Sequence, residues 1–142
     1  MATALAVATA LSDPASAATT TPTFRQAANH ACAVRTATEH RLEPQEGAGD
    51  VLRFFRGIAS AQRTLVAGHA ALRPPRADRR PFRRLVAAER AVIPLLDRAV
   101  LLLEQGDSYG EVVSLVGPDL GRASARISAR AKRVRLRACE SA

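Results

Sequence analysis

Two cysteines, three histidines and a run of arginines carry whatever chemistry this sequence can do. Cys32 and Cys139 lie near opposite ends of the chain, so no Cys-x-x-Cys redox pair exists. In an exported protein such a minimal, even count reads as a disulfide, whereas in the cytoplasm both thiols would stay reduced. Two unrelated buried thiols are the plainer alternative. His30 and His40 stand ten positions apart, His69 stands alone, and no His-Glu-x-x-His occurs. Without ligand spacing on one helical face no metal site is expected, and the histidines read as surface or interfacial residues. There is no Gly-x-Ser-x-Gly, and the serines of "ASARISARA" have no base nearby in sequence. "GAG" at Gly47 follows no strand, and P-loop spacing is missing. No catalytic residue, no cofactor-binding residue and no cofactor is therefore expected, and the chain does not read as an enzyme.

The feature that rises above background is "GRASARISARAKRVRLR", which carries cations and no carboxylate. Arg122, Arg126, Arg130, Arg133 and Arg137 recur at i,i+4 and i,i+3, so a continuous helix would present them as one stripe. Like charges on neighbouring turns repel, so a stripe of this kind calls for counter-charges. It is either a solvated face balanced by Glu43, Glu46, Glu104 or Glu111, or a footprint for anionic polymer or lipid headgroups. Nucleic acid is the weaker partner, because no aromatic residues interleave the arginines for base stacking and no helix-turn-helix or zinc pattern appears.

These residues need a scaffold, and the composition says which kind. The chain has 142 residues and a formal charge of +8, with Lys132 as the only lysine. Such a length suits one domain with a modest core. With four Phe, one Tyr and no Trp, that core must come from Ala, Val, Leu and Ile, which favours close-packed helices over a sheet. The abundance of Ala and Arg also matches GC-rich coding, so part of the basicity reflects the genome rather than a partner.

The apolar periodicity predicts an antiparallel up-down-up-down bundle of four helices. Thr21 caps the first and Pro22 opens it, with Phe24, Ala27, Ala31, Val34 and Thr38 on one face. It stops before Pro44, and "EPQEGAG" is a loop. Asp50 caps the second helix, whose stripe is Val51, Phe54, Phe55, Ile58, Ala61, Leu65 and Leu72, and "RPPRADRRP" ends it. The third carries Phe82, Leu85, Val86, Val92, Ile93, Leu96, Val100 and Leu103. Pro94 cannot donate to the carbonyl of Arg90, so a kink is expected there, either fitting the helix to the core or opening a ligand groove. Gly106 ends that helix and Asp107 caps the fourth. The fourth is expected to run from Ser108, to be interrupted near Gly117 by "GPDLG", and then to continue towards Val134 with Leu120, Ala123, Ile127, Ala131 and Val134 buried. In this topology the end of the fourth helix returns beside the first, where Cys139 can meet Cys32.

The start of the chain differs from the rest. An apolar run from Ala4 to Leu11 precedes "ASAA", which fits signal-peptidase cleavage after Ala17, although no Lys or Arg precedes Arg25. Residues 1–18 thus read as a signal segment or a disordered tail, and 19–142 as one helical-bundle domain. Asp97 and Arg98 interrupt the best apolar candidate for a membrane span, so no transmembrane helix is expected.

The order "FRQAANHAC", "LRPPRAD", "EQGD" and "LRAC" resembles a family of small, uncharacterised exported helical proteins from high-GC Gram-positive (actinobacterial) genomes. The matching positions are Phe24 with Cys32, Leu72 with Pro74 and Pro75, Gly106 with Asp107, and Cys139. The resemblance implies a helical fold, a disulfide and export, and implies no activity. The expected role is that of a non-enzymatic structural or interaction protein at the cell envelope. The alternative is a cytoplasmic basic helical protein that binds nucleic acid.

Overall fold

The structure is a computed structural model and describes residues 20–43 and 49–140. The segment 1–18 and most of the expected "EPQEGAG" loop lie outside the described residues. Those described are all-helical: α1 (Thr21–Leu42), α2 (Gly49–Ala71), α3 (Arg79–Arg90), α4 (Ile93–Glu104) and α5 (Tyr109–Val134), followed by a 3-10 turn, Arg137–Cys139. No described helix is long and apolar enough to cross a membrane.

Helix α1 is capped one residue earlier than expected, at Thr20, with Pro22 in its first turn. Its buried face is Phe24, Ala28 and Cys32, an i,i+4,i+8 line rotated from the expected one, and Val34 is 46% exposed. Helix α2 begins at Gly49, which places Asp50 inside its first turn instead of at the cap. It ends at Ala71, before the Pro74–Pro75 hinge, as the missing donors require.

The third helical stretch is two helices rather than one helix kinked at Pro94. The chain turns at Ala91–Val92, and Pro94 sits in the first turn of α4, where its missing N–H costs no helical bond. Gly106, at φ 97°, closes α4, with its N–H bonded to the Leu103 carbonyl and that of Asp107 to Leu102.

The fourth expected helix also differs. Ser108, not Asp107, is the cap: its hydroxyl accepts from the Glu111 N–H while the Glu111 carboxylate accepts from the Ser108 N–H, a reciprocal capping box. The expected interruption near Gly117 is not found, because α5 runs continuously through Gly117 and Pro118. Val112, Val116, Ala123, Ile127, Ala131 and Val134 are buried along it at 3/4 spacing on both sides of the proline. Burial of that stripe outweighs the one helical bond Pro118 cannot make. Arg135, left-handed at φ 58°, ends α5 and turns Leu136 into the core.

Helix α2 packs on α1, α3 and α4, whereas α5 packs on α3 and α4, and the 3-10 turn docks on α1. Phe24 of α1 and Phe82 of α3 meet edge to face at 4.8 Å. Such a pair contributes about 1 kcal/mol beyond its buried area. Across α2 and α4, Arg63 donates to Asp97 at 2.5 Å and Arg56 to Glu104 at 2.6 Å. These exposed pairs fix register more than they stabilise. The chain ends are joined by the Cys32–Cys139 disulfide, with Cα atoms 5.2 Å apart across a sequence separation of 107. The Ala138 N–H donates to Asn29 Oδ1 at 3.0 Å beside it.

Candidate functional site

Three polar side chains sit where the periodicity of α2 and α3 points inward. On α2 the buried series Phe55, Ile58, Ala59, Leu65 and Val66 is completed by Gln62 and His69 at helical spacing. On α3 and into α4, Phe82, Leu85, Val86, Val92 and Leu96 leave a gap that Glu89 fills. Gln62, His69 and Glu89 are 2%, 0% and 0% exposed. The reading of the histidines as surface or interfacial holds for the exposed His30 and His40 but fails for His69.

The three are satisfied by one another and by backbone. His69 Nδ1 lies 2.9 and 3.0 Å from the two carboxylate oxygens of Glu89, and Nε2 lies 3.0 Å from the Ala28 carbonyl of α1. A carbonyl only accepts, so Nε2 carries a hydrogen. On the other side, Nδ1 and the Glu89 carboxyl group share one more proton. Burial by itself would lower the His69 pKa, but the hydrogen bond and charge of Glu89, with the Ala28 carbonyl, outweigh it and raise the value above 6.5. Gln62 Nε2 donates to the Glu89 main-chain carbonyl at 2.9 Å, at the turn where the α3–α4 boundary loses regular helical bonding. The network thus ties α1, α2 and α3 together, and Gln62 adds a second donor to the Glu89 carbonyl, which also accepts from the Val92 N–H.

The disulfide belongs to the same centre. Cys32 Sγ is 3.9 Å from His69 Nε2, and Cys139 Sγ is 3.9 Å from the Ala28 carbonyl oxygen. Phe82 covers His69 with ring centroids 5.3 Å apart. Outside it lies an open cleft of about 800 Å³ lined by His69, Phe82, Val86, Arg73, Arg79, Arg83 and Arg90 among others. Because both ring nitrogens of His69 are engaged inside, this cleft offers arginines rather than a general base.

Of the five arginines singled out from the sequence, Arg122, Arg126, Arg130 and Arg133 lie on the continuous α5. Arg122 is ion-paired with Asp119, one turn earlier. Arg137 lies beyond the end of α5 on the 3-10 turn, so it leaves the helical row. Arg133 is exposed near the end of α5. Arg126 and Arg130 remain, and Arg84 of α3 joins them around a hollow of about 620 Å³ whose other lining residues are Ala87, Ala88, Ala91 and Ala123. Among the described residues no carboxylate lines this hollow. The expected counter-charges are spent elsewhere: Glu104 on Arg56, Glu111 on the α5 cap and Glu43 beside His40. Glu46 lies outside the described residues. Arg84 could not have been found from the stripe, because it comes from another helix and only the α3–α5 packing brings it there.

Comparison with family models, with curated proteins and with solved structures finds no match.

Proposed function

We propose that this protein is a non-enzymatic, exported helical-bundle protein that works as a structural or interaction protein at the cell envelope, holding phosphate-bearing groups of a wall polymer or lipid headgroup. The observation that carries the reading is the α3–α5 hollow, where Arg84, Arg126 and Arg130 surround a floor of alanines with no carboxylate among the described lining residues. Guanidinium groups bind phosphate through paired N–H donors, and small floor residues leave room for a headgroup-sized anion. Arg83 and the other arginines of the neighbouring cleft extend the cationic surface along α3. The scaffold is taken to be an up-down-up-down bundle, with α3 and α4 sharing the third position. The packing of α1 on α2, of α2 on α4 and of α4 on α5 supports the succession, and the 3-10 turn brings the end of the described chain back to α1. Export is supported by the Cys32–Cys139 bond, which persists in an oxidising compartment.

Co-sedimentation with vesicles of anionic and of zwitterionic lipid, at several salt concentrations, tests the proposal. Each arginine near an anionic surface contributes about 1 kcal/mol. Replacing Arg84, Arg126 and Arg130 by Ala should therefore weaken binding to anionic vesicles by about a hundredfold and flatten the salt dependence. Arg122→Ala, whose charge Asp119 already offsets, should have little effect. Unchanged binding of the triple variant with an altered melting point would assign those arginines to the fold and overturn the proposal. Tighter binding to duplex DNA than to vesicles in the same buffer would favour the cytoplasmic nucleic-acid reading.

A further inference from the structure

Cys32 of α1, His69 of α2, Glu89 of α3 and Cys139 of the terminal turn converge from four separate elements. One donor atom of each lies within 4.8 Å of the others, and all four side chains are buried. No local spacing announces the cluster, and the expectation of no metal site rested on local spacing alone. Zinc bonds of about 2.3 Å to sulfur and 2.0–2.1 Å to nitrogen place neighbouring tetrahedral donors about 3.3–3.8 Å apart. His69 Nε2 already lies 3.9 Å from Cys32 Sγ. The two sulfurs, now bonded at 2.05 Å, would have to separate, and Nε2 would have to give up its hydrogen bond to the Ala28 carbonyl. Glu89 is placed on Nδ1, the far side of the ring, as the carboxylate that orients a metal-bound histidine.

We propose that the reduced form of this protein binds one Zn²⁺ through Cys32 Sγ, Cys139 Sγ and His69 Nε2, with Glu89 as the positioning residue, and that the disulfide closes the site. An external dithiol delivers two electrons and two protons to the Cys32–Cys139 bond and leaves as its own disulfide, giving two protein thiols. Zinc then displaces both thiol protons and the Nε2 proton of His69 to solvent, while the Nδ1 proton stays on the Glu89 side. The ligand set is two thiolates and one imidazole, which suits zinc rather than a hard cation, with a fourth position left for water. Metal binding to reduced chains would replace the covalent staple by a coordinate one at the same place in the fold. It goes beyond the envelope reading and does not depend on it.

The test uses the full-length chain, as oxidised protein and after reduction by a phosphine under anaerobic conditions. Each form is given Zn²⁺ alone, passed through a desalting column and assayed for bound metal, with Co²⁺ substitution as a spectroscopic check. The expected result is one zinc per reduced chain, none on the oxidised chain, and a thiolate-to-cobalt charge-transfer band with tetrahedral d–d absorption. Cys139→Ser and His69→Ala should lose the metal, whereas Glu89→Gln should weaken affinity by about 10- to 100-fold. Should reduction unfold the chain, zinc should restore its helical circular dichroism. Equal zinc on oxidised and reduced protein, undiminished binding by reduced His69→Ala, or a reduced chain that stays unfolded with zinc would each overturn the proposal.

Discussion

Replacing Glu89 by Ala removes the carboxylate that His69 contacts at 2.9 and 3.0 Å, so the fully buried ring must either stay charged with no counter-charge or lose its proton and leave Nδ1 without a partner. Breaking a buried pair by deleting one partner costs about 3–5 kcal/mol, because the survivor keeps its desolvation penalty. Glu89→Gln is a different perturbation. Its amide can donate to an unprotonated Nδ1 while Nε2–H still donates to the Ala28 carbonyl, so the contacts survive with a neutral ring. Urea unfolding followed by circular dichroism measures both. With a slope of about 2 kcal/mol per molar, the Ala variant should lose roughly 2 M of midpoint and the Gln variant clearly less. An Ala variant within about 0.5 M of the parent at that slope would refute the reasoning, since the pair would then carry no buried charge.

The other outcomes concern the same centre and its frame. The His69 pKa is raised above its unfolded value, so its stabilisation is fully present below about pH 6.5 and is lost as pH rises through the folded value. Unfolding free energy should fall with a slope approaching 1.4 kcal/mol per pH unit there, as read by urea titration, and Glu89→Gln should flatten it. Removing the disulfide by Cys32→Ser with Cys139→Ser frees a chain closure across a separation of 107 residues and should cost up to about 4.7 kcal/mol, seen as a lower melting temperature. Pro118→Ala restores a helical N–H at an exposed position inside α5 and should stabilise by about 1–3 kcal/mol in the same assay. A loss of stability there would mean that the proline sets the path of the helix.

Most of the helical frame was legible because strong apolar periods and unambiguous breakers coincide. Pro74 and Pro75 end α2, Gly106 closes α4, and Val112 to Val134 keep one spacing throughout α5. That unbroken spacing outweighs the local helix-breaking tendency of Gly117 and Pro118. Ser108 followed by Glu111 is likewise a capping-box signature, and it competes in the sequence with the acidic neighbour Asp107. Helix α1 misled for another reason: Ala27, Ala28 and Ala31 mark its faces weakly, and the line through Phe24 to Cys32 differs from the chosen one by little apolar content.

The polar centre was half legible. Gln62, His69 and Glu89 occupy inward positions of their helices, so the spacing alone placed them in the core. A polar residue in an apolar stripe resembles a gap in it, which hides its burial. Their partnership was beyond the sequence, because the contacts span separations of 20 and 41 positions and depend on how α1, α2 and α3 cross. The basic hollow shows the same division. Arg126 and Arg130 follow from the period of one helix, whereas Arg84 arrives through packing. Arg122 and Arg137 leave the group for reasons that only the structure shows, an ion pair and the end of a helix.

The central claim is an exported chain closed by the Cys32–Cys139 bond, and intact mass of the protein from its own host tests it most directly. Alkylation before and after reduction distinguishes bonded from free cysteines. The account predicts a chain that starts near Ala18, with both thiols blocked until reduction. A full-length chain with two freely alkylated thiols would contradict export and point to the cytoplasm.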